Sequence, residues 1–442
     1  MGVVSLRAKS YEKAKKRKNF SSEVEKKNTL YEYVDEIVSY LVNEKASLIV
    51  EIDRGQVQQS EIDNPIVDYI KRNNIVVEEA ESMDIILKEV KSYLWGYGVL
   101  NQFIEPTDIS DISVKGIGDY WIKIDGKREE VDLPFPTEKS IENFCHSVAL
   151  RTRGNLNQRN ALLVTGDKDT SENFNLRINI GIKPVTDKPY VLIRKIPKWT
   201  IKPNMEKLQS KNMFNKEVKE YLETMSIVGL NYFVCGEGGS GKSTLVNALI
   251  ELIPPYESKL GIQEVQELSS GQKNWNWLNV VKATGESDVE YTLEELAQQG
   301  LTMDVDRYII GESKGGESIA IFDASFTGHK IAFTAHAPSS EQAIDKVVFN
   351  MKKGDTDYSD EKLKEMLGTL DVIIFMEKYK VCEITEVEGW DSVKKELILR
   401  PIFKFEVESD DGYDLFGNWV KLNESCERVQ KKVKLKSASG DY

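Results

Sequence analysis

Gly236-Glu237-Gly238-Gly239-Ser240-Gly241-Lys242-Ser243 decides how the second half of this chain folds. These residues satisfy G-x-x-x-x-G-K-[S/T] at every fixed position. The apolar stretch 231–235 precedes them and the helical pattern 243–252 follows, so the loop lies between a strand and a helix. Each residue type has a physical reason to be there. Gly236, Gly238, Gly239 and Gly241 allow backbone N–H groups to turn inward around phosphate. The helix that follows aims its positive end at the same point. Lys242 can reach the β- and γ-phosphates and the Ser243 hydroxyl can ligate Mg²⁺. Ser240 and Thr244 complete the candidate nucleotide-binding set.

Downstream, strand and helix patterns alternate, with KLGIQEV, RYIIGES and KIAFTAH as the further strands, which predicts an α/β domain with a largely parallel sheet. Three segments there carry chemistry. Arg307 to Glu312 is a short apolar strand ending in Gly-Glu, and an acid at such a strand end can face the γ-phosphate and position water or Mg²⁺. Ile262-Gln263-Glu264-Val265-Gln266-Glu267 places the carboxylates of Glu264 and Glu267 after the next strand beyond the glycine loop. His329 and His336, two of only three histidines, flank the strand expected beside the acidic one, and are taken as a functional pair. His146, on a helix remote from these motifs, is expected to be structural. No Asn-Lys-x-Asp guanine motif and no H-R-D catalytic loop occurs.

Upstream the pattern changes. Helical spacing marks residues 31–52 and 65–95; short strands follow at DISDISVKG, DYWIKIDG and KREEVDL, with a turn at Asp125-Gly126, then a helix over 138–153 and strands FNLRINI and YVLIRKI. The expected division is a basic flexible tail over 1–28, a helical region over 29–96, an α+β domain over 97–196, a proline-marked linker over 197–204, a nucleotide-binding domain over 205–424 and a loose lysine-rich tail over 425–442. Residues 7–18 hold seven basic residues and one acid, which reads as a solvated tail or as a dock for anionic lipid or an acidic partner.

Composition narrows the class. At 442 residues and ~150 per domain, two or three domains are expected. A formal net charge of −13 argues against broad nucleic-acid binding, because phosphate backbones reward basic surfaces. The four cysteines are far apart and form no C-x-x-C pair, so neither a disulfide framework nor a zinc knuckle is expected. No apolar run approaches the ~20 residues of a membrane span and no secretory leader is evident, which predicts a soluble intracellular protein.

The order GEGGSGKST, IQEVQEL, RYIIGESKGGE, GHKIAFTAHA resembles the Walker A, Asp box, Walker B and His box of the secretion-superfamily ATPases. These power type II and type IV secretion, type IV and Flp-type pili, and archaeal pilus and archaellum motors. WGYGVLNQFIEPTDISDISVKG upstream and CEITEVEGWDS…LRPIFKFE downstream are similar too, so the likeness runs over about residues 90–406. The resemblance implies a RecA-like P-loop C-terminal domain with a smaller α+β, PAS-like N-terminal domain preceded by helices. It further implies ATP and Mg²⁺ as ligands, hydrolysis by a hexameric ring, and a cytoplasmic location against a polytopic inner-membrane platform. By position Glu312 takes the Walker B role, Glu264 and Glu267 the Asp-box role and His336 the His-box role. Arg177 and Arg194 match the arginines that the family sends from its N-terminal domain. The chain departs from the pattern at Gln263, where an acid is usual, at Thr302 and Asp304, where arginines are usual, and at Lys314 in place of an arginine. These changes leave an alternative: a subunit that binds ATP and assembles but hydrolyses little. The same motif order serves machines that move pilin, protein or DNA.

Overall fold

A computed structural model describes residues 30–73, 83–124, 126–152, 154–281, 289–354 and 356–438. The expected basic tail over 1–28 lies outside the described residues. The chain forms two compact units, one ending at Ile196 and the other starting at Pro197.

The first unit opens with helices α1 (30–44), α2 (Ala46–Asp53), α3 (Asp63–Arg72) and α4 (Met83–Trp95). The single helix expected over 31–52 is thus two, parted at Lys45, whose ψ of 23° is off helical geometry. A six-stranded sheet follows, in the order β3-β2-β1-β6-β5-β4. Its strands are β1 (Ile109–Lys115), β2 (Tyr120–Ile124), β3 (Lys127–Glu130), β4 (Leu162–Asp167), β5 (Phe174–Gly181) and β6 (Tyr190–Pro197). Strand β4 has no counterpart in the sequence reading: it is an edge strand with Leu162 and Val164 exposed, so its apolar residues do not announce a buried face. Helix α5 (Glu138–Arg151) begins at a capping box between Thr137 and Ser140 and buries Ile141, Phe144 and Val148. Alternation puts Ile112, Ile178 and Ile193 in the core, and Arg177 and Arg194 on exposed positions of β5 and β6. His146 sits on α5, 4.0 Å from Glu142.

The second unit begins with helices α6 (Met205–Ser210) and α7 (Lys216–Val228). It is built on a nine-stranded sheet ordered β15-β14-β13-β12-β7-β11-β10-β8-β9. Strands β7 (Tyr232–Gly236), β8 (Lys259–Gln263), β9 (Trp275–Asn279), β10 (Arg307–Ser313), β11 (Lys330–His336) and β12 (Val372–Glu377) run parallel. Strands β13 (Lys380–Asp391), β14 (Glu396–Asp410) and β15 (Leu415–Lys421) extend the sheet antiparallel. One strand, β11, separates the glycine-loop strand β7 from the acidic strand β10, which is the RecA-like order.

Strand β7 shows why the run NYFVC carries no polar alternation. Tyr232 and Val234 face one core with α7 and α8 (Lys242–Ile250), and Phe233 and Cys235 face another. That second core includes residues of α9 (Leu293–Gly300), α10 (Glu317–Phe326), α11 (Ser340–Met351) and α12 (Asp360–Met366). A strand covered on both faces is apolar throughout. The loose tail expected from Ser425 is replaced by helix α13 (Glu427–Ala438), which buries Val429 in the first of these cores; residues 439–442 lie outside the described set. Among the described residues no helix is long and apolar enough to cross a membrane.

Candidate nucleotide and magnesium site

Parallel strands bring their C-terminal ends to one edge, where crevices form. Here that edge gathers Gly236 from β7, the loop after β8, Glu312 from β10 and His336 from β11, with His336 in register opposite Gly236. Gly236 has φ +148°, and a Cβ there would lie 2.1 Å from the Met376 carbonyl oxygen, so no other residue fits. Gly241 has φ +98° and caps α8, and Ser243 and Thr244 occupy the first turn of α8. Gly238 and Gly239 form the exposed crown of the loop.

Lys242 Nζ donates to the carbonyl oxygens of Gly236 and Glu237 at 2.9 and 2.8 Å, and lies 3.4 Å from His336 Nδ1. An ammonium has only donors, so in that contact Nδ1 is the side of the ring able to accept. Nε2 lies 2.7 Å from Glu312 Oε1, an ion-pair distance without hydrogen-bond alignment. The other carboxylate oxygen of Glu312 lies 2.9 Å from Lys314 Nζ, which also reaches Glu264 Oε2 at 3.3 Å. Burial pushes the Lys242 ammonium below the usual lysine range, against the pull of Glu312. Burial would lower Lys314 too, but Glu312 and Glu264 beside it hold it above that range.

Glu312 owes its direction to an irregularity in β10. Ile310 pairs with Phe333 and Ser313 with Ala335, so β10 spends three steps where β11 spends two. The extra residue is a bulge at Gly311-Glu312, pinned by the Thr334 hydroxyl, which donates to the Gly311 carbonyl at 2.6 Å.

On the other side, Ser243 Oγ donates to Glu267 Oε2 at 2.6 Å. Asn247, one turn along α8, donates to the carbonyls of Ser243 and Glu267 at 2.8 and 2.9 Å. Gln263 closes the loop: its Nε2 donates to the Leu268 carbonyl at 3.1 Å and its Oε1 accepts from the Leu268 N–H at 2.9 Å. A carboxylate could make only the second of these bonds, so the departure at Gln263 exchanges a charge for a two-way amide clasp.

The residues suit a nucleotide with Mg²⁺. Ser240 Oγ is buried inside the loop with no hydrogen-bond partner among the described residues. Lys242 folds onto main-chain carbonyls that phosphate oxygens could replace. A hydroxyl and a carboxylate in contact, Ser243 and Glu267, are oxygen donors of the kind hard Mg²⁺ takes.

The structure therefore gathers the glycine loop, Lys242, Ser243, Glu264, Glu267, Glu312 and His336 at one edge. It parts the two histidines: β11 runs between them, and His329 at its far end instead lies within hydrogen-bond distance of the Thr327 hydroxyl and the Ala324 carbonyl. Arg177 and Arg194 belong to the first unit, where Arg194 Nε donates to Asp111 at 3.0 Å. Thr302, at a position of a usual arginine, bonds the Gln299 carbonyl through its hydroxyl. Asn247 was within reach of the sequence, four residues after Ser243 on a helix; Gln263 and Lys314 stood out only as departures, not as site residues.

The type II/IV secretion system protein family matches residues 103–374. An uncharacterized protein of Methanocaldococcus jannaschii is 24% identical over 340 residues, 75% of this chain and 59% of that protein. The protein VirB11 of Agrobacterium tumefaciens is 30% identical over 179 residues, 39% of this chain and 52% of VirB11, so the chain spans only part of the length of these relatives. The Legionella pneumophila ATPase DotB superposes with a TM-score of 0.44 at 14% identity, covering 75% of this chain and 83% of DotB. Since the matched residues make up more than half of its length, the chain belongs to the type II/IV secretion system protein family.

Proposed function

We propose that this chain is an ATP-hydrolysing motor subunit, acting as a hexameric ring in the cytoplasm against a polytopic membrane platform of a secretion, pilus or conjugation machine. The observation that carries the hydrolytic reading is the run Lys242–His336–Glu312–Lys314–Glu264 beside the Ser243–Glu267 pair, all at one sheet edge. Lys242 would leave its two carbonyls for the β- and γ-phosphates, and the loop N–H groups with Ser240 and Thr244 would hold the rest of the chain of phosphates. Mg²⁺, held by Ser243 with Glu267 in the shell around it, would neutralise phosphate charge. Glu312 would orient the attacking water through a carboxylate oxygen, and His336 and Lys314 would fix the plane of that carboxylate. Arg177 and Arg194 would supply further positive charge, for which rigid, permanently charged guanidinium forks are suited. Family membership and the motif order support the ring and the membrane platform.

ATP turnover of the full chain, compared with Lys242→Ala and Glu312→Gln, tests this. The expected result is turnover in the parent, loss of ATP binding in Lys242→Ala, and binding without turnover in Glu312→Gln. A parent that binds Mg-ATP and turns over no faster than Glu312→Gln would establish the alternative, a nucleotide-gated assembly subunit, which the missing arginines at Thr302 and Asp304 favour.

A further inference from the structure

Lys202 opens the second unit, far in sequence from every motif, yet its side chain ends among them. Its Nζ donates to Asn247 Oδ1 at 2.6 Å, to the Glu267 carbonyl at 2.9 Å and to Ser269 Oγ at 2.8 Å. An ammonium has three N–H bonds, and all three find an acceptor. Two of these acceptors are tied to each other and to the site. Asn247 Oδ1 also accepts from the Ser269 N–H at 3.1 Å, and Asn247 Nδ2 donates to the carbonyls of Ser243 and Glu267. The ring of bonds therefore starts at Lys202, holds both ends of the loop's last turn, and closes where Ser243 Oγ meets the Glu267 carboxylate. Gln263 fixes the same loop from the sheet side through Leu268. Without Lys202, Asn247, the Glu267 carbonyl and Ser269 lose the one donor that all three share.

We propose that Lys202 is a positioning residue of the nucleotide site: it locks α8 and the Glu264–Ser269 loop together so that Ser243 and Glu267 are held side by side where a divalent cation would bind. It touches neither phosphate nor metal and acts through Asn247 and Glu267. The inference rests on the nucleotide reading above, and the test separates the two.

The full chain and its Lys202→Met, Ser269→Ala and Lys242→Ala variants are titrated with ATP in EDTA, and the ATP complexes are titrated with Mn²⁺ followed by electron paramagnetic resonance. Outer-shell partners of a metal site are typically worth ~10–100-fold in metal affinity. Lys202→Met should therefore weaken Mn²⁺ binding by about tenfold or more, while its metal-free ATP affinity stays like the parent's. Ser269→Ala, which removes one acceptor and keeps the lysine, should shift Mn²⁺ affinity in the same direction by less, and it decides the matter if Lys202→Met does not fold. Unchanged Mn²⁺ affinity in a folded Lys202→Met, or equal losses with and without metal, overturns the inference. Undiminished ATP binding in Lys242→Ala would instead overturn the nucleotide reading itself.

Discussion

Glu312 carries the hydrolytic reading on one side chain, and its surroundings explain why a conservative change there should be informative. Its two carboxylate oxygens face different partners, His336 Nε2 and Lys314 Nζ. Glu312→Gln keeps the shape but cannot accept at both ends, so Mg-ATP should still bind while turnover falls by ~10²-fold or more. Single-turnover measurements with bound nucleotide check this; a normal rate would move the role to Glu264 or Glu267. Gln263 makes the opposite point. Restoring the acid that the motif usually has, Gln263→Glu, would set a carboxylate against the Leu268 carbonyl inside a buried contact. An unsatisfied buried group costs ~1–3 kcal/mol, so this variant should unfold at a lower denaturant midpoint than the parent. A gain in stability would show that the amide clasp is not what closes the loop.

At the scale of elements, what was legible in the sequence depended on how local its cause was. The glycine loop, β10 and β11 could be read because loop, strand and flanking helix are fixed by residues a few positions apart. The bulge at Gly311-Glu312 was hidden, since it exists only as a mismatch of register between β10 and β11. The histidine pair misled for a related reason: proximity in sequence across a strand is distance in space. Helix α13 looked like a polar tail because its partners are elsewhere. Arg428 and Lys432 lie 3.0 and 2.6 Å from the fully buried Asp371, and Lys436 lies 3.4 Å from Glu257, a spacing of four residues that puts all three on one face. Glu257 also accepts from Arg307 Nε, and from Lys330 at 3.0 Å. Burial alone would raise the Glu257 carboxyl, but Arg307 and then Lys330 hold it below the ordinary carboxylate value. A depressed carboxyl stabilises the fold above its unfolded-state value and loses that contribution as pH falls through the folded one. Unfolding free energy should therefore drop below about pH 4.5, and Glu257→Gln should cost ~3–5 kcal/mol at neutral pH while flattening that acid limb. Chemical denaturation across pH measures both, and an unchanged acid limb in the variant would remove Glu257 as its source.

For the whole molecule the proposed function requires cations to meet the charge of a triphosphate. In the second unit the sheet edge supplies Lys242 and Lys314, but Lys314 already serves Glu312 and Glu264, and Arg307 is committed to Glu257 at the opposite end of β10. The usual arginine positions hold Thr302 and Asp304. Phosphoryl transfer spreads charge over the γ-oxygens, and added arginines in other P-loop enzymes contribute 10³–10⁵ in rate. Arg177 and Arg194 are the residues we propose for this task. Both are exposed on strands of the first unit, and the Arg194–Asp111 pair is a surface pair of the kind worth at most ~1 kcal/mol. Arg177→Ala and Arg194→Ala should each lower kcat strongly while sparing metal-free ATP affinity, because the charge matters most as the transition state forms. If the active form is a ring, a slowly hydrolysed ATP analogue should raise the mass seen by light scattering, and this shift should survive both arginine variants. A normal kcat in the double variant Arg177→Ala/Arg194→Ala would show that the arginines are not catalytic, and the missing charge would then have to come from Lys314 released by Glu264.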